Sequence, residues 1–261
     1  MITFCLMTCG EETEQLCLRA IAPYKDKIVL QEVRNVFPQV VALNQMLSQC
    51  KTEYLVPLDA DMILNSDSLT RIEQAINQIG AEHHSILFSL FDTLTQKKIM
   101  ALKVLRMSIM KNFPFNEVST PDVEHFSRLK EAGYCALDLT SEEPIGTHNV
   151  QGFKFCYSKY KDVYQTLRTY GKSWDSAVFM GGETIMEKSK KHFEFFEFNW
   201  IMTGNEDYLY CIAGMLDGLT CPLENKSKTL EEIPEINPHL VLDQYISWYL
   251  NEQKLILEIV M

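Results

Sequence analysis

The first sixty residues switch between two hydrophobic periods, and that rhythm constrains the fold more than any other feature of the chain. Ile2 to Cys9 is a short apolar run closed by Gly10, the pattern of a buried strand and its turn. Thr13 to Ala22 places Leu16 with Ala20 and Cys17 with Ile21 at helical spacing and stops near Pro23. Lys27 to Val33 reads as a second strand. Val40, Leu43, Leu47 and Cys50 mark a second helix, and Glu53 to Leu58 a third strand. Strands alternating with helices of about ten residues predict crossover connections and a mostly parallel sheet covered on both faces. Ligands of such sheets bind beyond the carboxyl ends of the strands, so the residues after Leu58 are where chemistry is expected.

Further on, Leu69, Ile72, Ile76 and Ile79 predict a helix capped by Asn65 or Ser66, and Ile86 to Phe91 a strand. Residues 92–118 show no single period, only a bend at Phe113-Pro114-Phe115. Val123, Phe126 and Leu129 make Asp122 to Ala132 helical, Gly133 caps it, and Tyr134 to Leu139 is strand-like. His83-His84 falls on a predicted loop and His125 in mid-helix. After about residue 150 the chain changes character. Phe153, Cys156, Tyr157, Tyr160, Val163, Tyr164 and Leu167 form an aromatic stripe at helical spacing, Gly181-Gly182 marks a turn, and Asp207 to Leu216 reads as helix. Asn237-Pro238 opens a last helix with Leu242, Tyr245, Ile246 and Tyr249 on one face. The expected organisation is an α/β domain over residues 1–150 and a mainly helical region over 151–261.

Composition narrows the function. With 261 residues, 46% of them hydrophobic, the chain can bury one substantial core. No apolar run approaches the ~20 residues that cross a bilayer. Met1 to Phe4 shows no charged stretch leading into an apolar one, so no export signal is expected. The 24 basic against 35 acidic residues leave a net charge of −11, which argues against a nucleic-acid partner because phosphate neutralisation needs the opposite sign. Eight scattered cysteines form no CxxC pair, which predicts reduced, buried thiols in a cytoplasmic protein and no structural zinc.

The most chemically loaded stretch is Leu58-Asp59-Ala60-Asp61-Met62. A buried strand running into two aspartates one residue apart sets both carboxylates at the ligand-binding edge of the sheet. Their oxygens are hard ligands of the kind Mg2+ or Mn2+ prefers, and such a cation stabilises a departing diphosphate. Ala42-Leu43-Asn44-Gln45-Met46-Leu47 followed by Thr52-Glu53-Tyr54-Leu55-Val56-Pro57-Leu58-Asp59-Ala60-Asp61 resembles the GT-A type glycosyltransferases, especially the large family-2 group. There an Ala-x-Asn-like helix precedes a strand ending in the metal-binding Asp-x-Asp motif. The resemblance implies that Asp61 ligates the metal, that Asp59 contacts ribose or metal, and that Asn44 belongs to the substrate side. Asp122 to Tyr134 resembles the family's "EDxxLxxRLxxAGY" helix. Counting from Arg128 and Gly133, the general base of inverting members falls on Asp122, with Pro121 in place of the preceding glutamate and Glu124 as a rival base. His148, after the next strand, stands where many such enzymes complete the metal site. An imidazole there suits Mn2+ better than Mg2+.

One departure matters. The second strand, Ile28 to Asn35, lacks the "DDGS" that holds the nucleoside, so Gln31, Glu32 or Arg34 would have to substitute. Thr8, Cys9 and Gly10, at the end of the first strand, are expected near the nucleotide. Trp174 and Trp200 read as core or sugar-stacking residues, Glu183 and Asn205-Glu206-Asp207 as solvated turns. The reading that results is a transfer of sugar from a UDP- or GDP-sugar to a glycan, lipid-linked or other hydroxyl acceptor. The helical region would contribute to the acceptor site, with peripheral contact at the inner face of a membrane. Two rivals stand beside it: a degenerate GT-A domain acting as a scaffold, and a sugar nucleotidyltransferase. The acidic, glycine-poor loop Thr8 to Thr13 argues against the second rival.

Overall fold

The computed structural model describes residues 1–11, 13–36, 39–117, 121–148, 153–170, 185–220 and 237–260, and the chain divides into two units, Met1–Gln151 and Gly152–Met261. In the first, the strands are β1 (Ile2–Thr8), β2 (Ile28–Arg34), β3 (Tyr54–Asp59), β4 (Ile63–Leu64), β5 (His83–Asp92), β6 (Lys97–Arg106), β7 (Cys135–Asp138) and β8 (Gly146–His148). The helices are α1 (Glu14–Ile21), α2 (Gln39–Gln49), α3 (Ser68–Ile76), α4 (Met107–Met110) and α5 (Pro121–Glu131). One sheet runs β2-β1-β3-β6-β5-β8-β4, with β7 paired to β5. β1 pairs in parallel with β2 and β3, as β5 does with β7 and β8; the β3–β6, β5–β6 and β4–β8 pairings are antiparallel.

Alternation along β1 shows why the sheet is covered on both sides. Phe4 and Leu6 pack with Cys17 and Ile21 of α1 and with Leu69 and Ile72 of α3. Cys5 points the other way, into a cluster with Val40, Leu43 and Leu47 of α2 and Leu129 of α5. The predicted strand–helix rhythm over residues 2–59 therefore appears in the fold. None of the described cysteines is in a disulfide, and burial pushes the thiols of Cys5 and Cys17 up to about 12.

Several local expectations are corrected. Residues 92–118, which showed no period, contain β6 and α4. The β5–β6 register steps from Phe88↔Leu102 to Ser89↔Met100, leaving Ala101 unpaired in a bulge that breaks the alternation. His83-His84 opens β5 instead of lying in a loop, and Asp67, one residue past the expected cap, precedes α3. On α5 the buried residues are Pro121, His125 and Leu129, while Val123 is exposed. The buried stripe was missed because a histidine stands in its middle. Gly133 has φ +86°, and the Gly133 and Tyr134 amides close the end of α5 on Lys130 and Leu129 at 3.0 Å each.

His84 and His125 are both buried, their rings close to Phe126. Burial, reinforced by the neighbouring His125 for His84 and by Arg128 for His125, pulls both rings from 6.5 down to about 4. Each is thus harder to protonate folded than unfolded. Their contribution is complete above pH 6.5 and is lost as the pH falls toward 4, by at most about 1.4 kcal/mol per pH unit for each ring. The melting temperature should hold level above neutrality and drop below pH 6.5. A pH series of thermal melts should show a shallower drop for His125→Phe than for the parent.

Among its described residues the elements of the second unit are all helices: α6 (Phe153–Tyr170), α7 (Ile185–Thr203), α8 (Asp207–Thr220) and α9 (Pro238–Val260). Cys156, Tyr157, Tyr160, Tyr164 and Leu167 of the aromatic stripe are buried. Tyr160 meets Phe196 edge-on at 4.7 Å, and Phe193 stacks on Tyr245 at 4.0 Å, so these rings form this unit's core. On α9 Val241 and Tyr245 are buried, while Ile246, expected on that face, is exposed. Trp200 is half-buried, and Asn205 to Asp207 form an exposed to half-exposed lead into α8. Trp174, Gly181, Gly182, Glu183 and Cys221 lie outside the described residues. No helix among the described residues is long and apolar enough to cross a membrane.

Candidate active site

β3 carries Asp59 at its last position, and the chain then turns, the Met62 amide donating to the Asp59 carbonyl at 3.0 Å. It re-enters the sheet as β4, which pairs with β8 through Ile63↔Thr147 and Leu64↔Gly146. That small pairing decides where Asp61 goes: it draws the turn against His148, the last residue of β8. Gly146 is required for the approach, because a Cβ there would lie 2.6 Å from the Ile63 carbonyl oxygen. The parallel pairing of β8 with β5 sets His148 opposite Asp92.

The result is a chain in which a largely covered His148 joins two buried aspartates. His148 Nδ1 lies 3.0 Å from Asp92 Oδ2, and His148 Nε2 lies 3.5 Å from Asp61 Oδ2. Ligand atoms of Asp59, Asp61 and His148 all fall within 4.8 Å of one another. Burial by itself would raise the Asp92 carboxyl, but hydrogen bonds from His148 and Thr95 outweigh it and hold it at about 2. Asp92 is therefore an acceptor for His148 Nδ1, which leaves Nε2 as the ring nitrogen that faces Asp61. Two carboxylates and a ring nitrogen thus converge, a set of atoms that can hold a cation. The donor set fits a divalent ion: two hard oxygens suit Mg2+ or Mn2+, and the imidazole favours Mn2+. A carboxylate behind a ligating imidazole is the usual way such a ring is oriented.

Asp92 was not singled out from the sequence. Its visible trace is an aspartate at a strand end with Thr95 three residues on, and only the β5–β8 pairing gives that carboxylate a partner. Asp92→Asn should weaken Mn2+ binding by about 10–100-fold with little change in fold. Calorimetric titration with Mn2+ alone measures this directly.

A cavity of about 290 Å3 opens beside the cluster, and Asp59, His148, Lys103 and Asp122 all line it. Asp122 comes from the first turn of α5. Its Oδ1 accepts from the Val123 amide at 3.0 Å and its Oδ2 lies 2.9 Å from Lys103 Nζ. Burial pushes this carboxyl up, yet the Lys103 charge and hydrogen bond prevail and hold it below the usual carboxylate range. Glu124 is placed differently. Arg128 at 2.6 Å and Asn116 at 2.8 Å take its carboxylate, and it is not among the residues lining the cavity. Lys103, on the strand that sequence periodicity left unread, was also missed.

The residues expected on the nucleotide side form a separate network at the ends of β1 and β2. The Thr8 hydroxyl is within reach of Glu11 at 2.6 Å and Glu14 at 2.8 Å, the Cys9 amide donates to Glu11 at 2.8 Å, and the Gly10 amide to the Thr8 hydroxyl at 3.0 Å. Arg34 grips Glu14 through two nitrogens, at 2.8 and 3.0 Å, and reaches Glu32 at 2.6 Å. The Arg34 hydrogen bond holds Glu14 below the usual carboxylate range despite its burial. The Gln31 amide donates to the Met46 carbonyl, and Asn44 clasps both backbone groups of Phe115 at 2.8 and 2.9 Å. Those two amides thus tie α2 to its surroundings.

No protein-family model matches the chain, and no curated protein does. Solved structures match it. A mannosyltransferase, PcManGT from Pyrobaculum calidifontis, in complex with GDP-Man and Mn2+, aligns over 84% of this chain and 87% of its own, at a TM-score of 0.50 and 11% identity. TarS of S. aureus aligns over 84% of this chain and 81% of its own, at 0.44 and 13% identity. Glucosyl-3-phosphoglycerate synthase from Mycobacterium tuberculosis, in complex with Mn2+ and UDP, aligns over 65% and 79%, at 0.44 and 14%. The match to the mannosyltransferase, together with the strand order, shows that the chain has the GT-A fold.

Proposed function

We propose that this chain is a metal-dependent glycosyltransferase that moves a sugar from a nucleoside-diphosphate sugar to a hydroxyl acceptor with inversion. The observation that carries the reading is that Asp59 and His148, two members of the Asp59–Asp61–His148 cluster, line one cavity together with Asp122. The structural neighbour that holds GDP-Man and Mn2+ on the same fold supports it. Asp59, Asp61 and His148 would hold a Mn2+ or Mg2+ ion, which when bound would supply charge neutralisation for the departing diphosphate. Asp122 takes the proton from the acceptor hydroxyl as that oxygen attacks the anomeric carbon, from the side opposite the leaving group. Lys103 keeps Asp122 ionised and oriented. Thr8, Cys9, Gly10 and Arg34, at the ends of β1 and β2, would take the nucleoside of a UDP- or GDP-sugar, and the acceptor is a glycan, a lipid-linked glycan or another hydroxyl compound.

A thermal melt with Mn2+ and UDP or GDP tests this. At one hundred times Kd a ligand adds about 2.7 kcal/mol, a shift of roughly 5–10 °C for a chain of this size. No shift with either nucleotide in the presence of Mn2+ overturns the reading. A shift without turnover of any nucleotide sugar would leave a binding subunit.

A further inference from the structure

The cavity beside the cluster is a poor match for a fully hydroxylated sugar. Twelve of its seventeen lining residues are apolar, among them Met46, Met62, Met100, Phe115 and Phe126. Its charged residues have other tasks: Asp59 and His148 belong to the candidate metal cluster, and Asp122, paired with Lys103, faces the acceptor hydroxyl. Gln39, exposed on the first turn of α2, is the one neutral hydrogen-bonding side chain among these described lining residues. A hexose brings more hydroxyls than such a wall can satisfy. Each hydroxyl buried there without a partner would weaken binding by about tenfold.

The strand behind the wall is shaped to make it apolar. A regular strand shows only alternate residues to one side, but here Ile99, Met100 and Ala101 line the cavity in succession. The bulge at Ala101 is what brings them round. Methionine thioethers adapt to irregular apolar groups better than branched side chains do. The volume, about 290 Å3, is at the small end of ligand sites and suits one ring with its substituents. A group joined directly to a diphosphate held on the cluster would lie next to that space, since Asp59 and His148 line it.

We infer that the glycosyl group taken by this cavity is a deoxy sugar, with a methyl where a hexose carries a hydroxymethyl group. The inference rests on the glycosyltransferase reading and names the donor class for the same site. It is tested by measuring Kd, with Mn2+ present, for pairs that share a nucleotide: GDP-mannose against its 6-deoxy form, GDP-rhamnose, and UDP-glucose against its 6-deoxy form. The deoxy member of the pair with the accepted nucleotide should bind about tenfold more tightly. Equal or tighter binding of the hexose in both pairs overturns the inference and leaves the glycosyltransferase reading standing. Absence of any binding by UDP or GDP with Mn2+ overturns both. Met100→Gln places a hydrogen-bonding group on the wall at an exposed position, so the fold should tolerate it. It should bring the preference below about threefold; an unchanged preference would show that this wall does not set it, and overturns the inference.

Discussion

Asp61→Ala should abolish the Mn2+-dependent nucleotide shift and lower sugar transfer by about a thousandfold or more, the scale of losing charge stabilisation at a departing group. Asp61 is only 3% exposed and sits against His148 and Asp59. Without a cation the change relieves the neighbouring Asp59 carboxylate but loses the 3.5 Å contact to His148, so the metal-free variant should melt close to the parent. Two measurements separate function from structure: the melting temperature without metal, and the shift on adding Mn2+ and nucleotide. A variant that melts lower without metal yet keeps the shift would make Asp61 a structural residue and remove the basis for the metal centre. His148→Ala should lose the shift in the same way, since the ring supplies the third ligand atom.

Asp122→Asn should cut kcat by about 10²–10⁴-fold while leaving KM for the donor and nucleotide affinity nearly unchanged. The amide keeps the shape of the side chain and can still accept from Val123, but it cannot take a proton. Because Lys103 holds the carboxyl below its ordinary 3.8, the parent stays in the proton-accepting form at neutral pH. The acid limb of its rate profile should therefore lie below that value. Lys103→Met removes the charge, so Asp122 becomes easier to protonate and the acid limb should move up. Rate profiles of the two variants, with donor affinity measured alongside, decide the matter. Loss of turnover and affinity together in Asp122→Asn would show that the residue holds α5 in place and is not the base.

These two residues also show where sequence reasoning reached and where it stopped. Asp61 was legible because its signal is local: an apolar strand that must end at the ligand edge, followed at once by carboxylates. Asp122 was found only through the family resemblance of its helix, since an aspartate in a first helical turn is ordinarily a cap. Asp92 and Lys103 carried too little local signal. Each gains its meaning from a residue dozens of positions away, His148 for the one and Asp122 for the other. The bulge at Ala101 hid β6 for a related reason: it spoils the alternation by which a strand is recognised. Arg34, expected to face the nucleotide, is held by Glu14 and Glu32, a competition that becomes visible only when α1 is seen against the end of β2.

By itself, the amino-acid order determined the alternation of strands and helices over the first sixty residues and the position of Asp59 and Asp61 at a strand end. It also determined the aromatic character of the helical unit. All of these follow from periodicity and burial within a few turns of chain. Only the tertiary structure decided which groups meet: β4 on β8 brings Asp61 to His148, β8 beside β5 brings His148 to Asp92, and α5 over β6 brings Asp122 to Lys103. The physical reason is that a site is made of hydrogen-bond and charge partners, and partners far apart in the chain are chosen by strand register and helix packing, which local side-chain patterns do not encode.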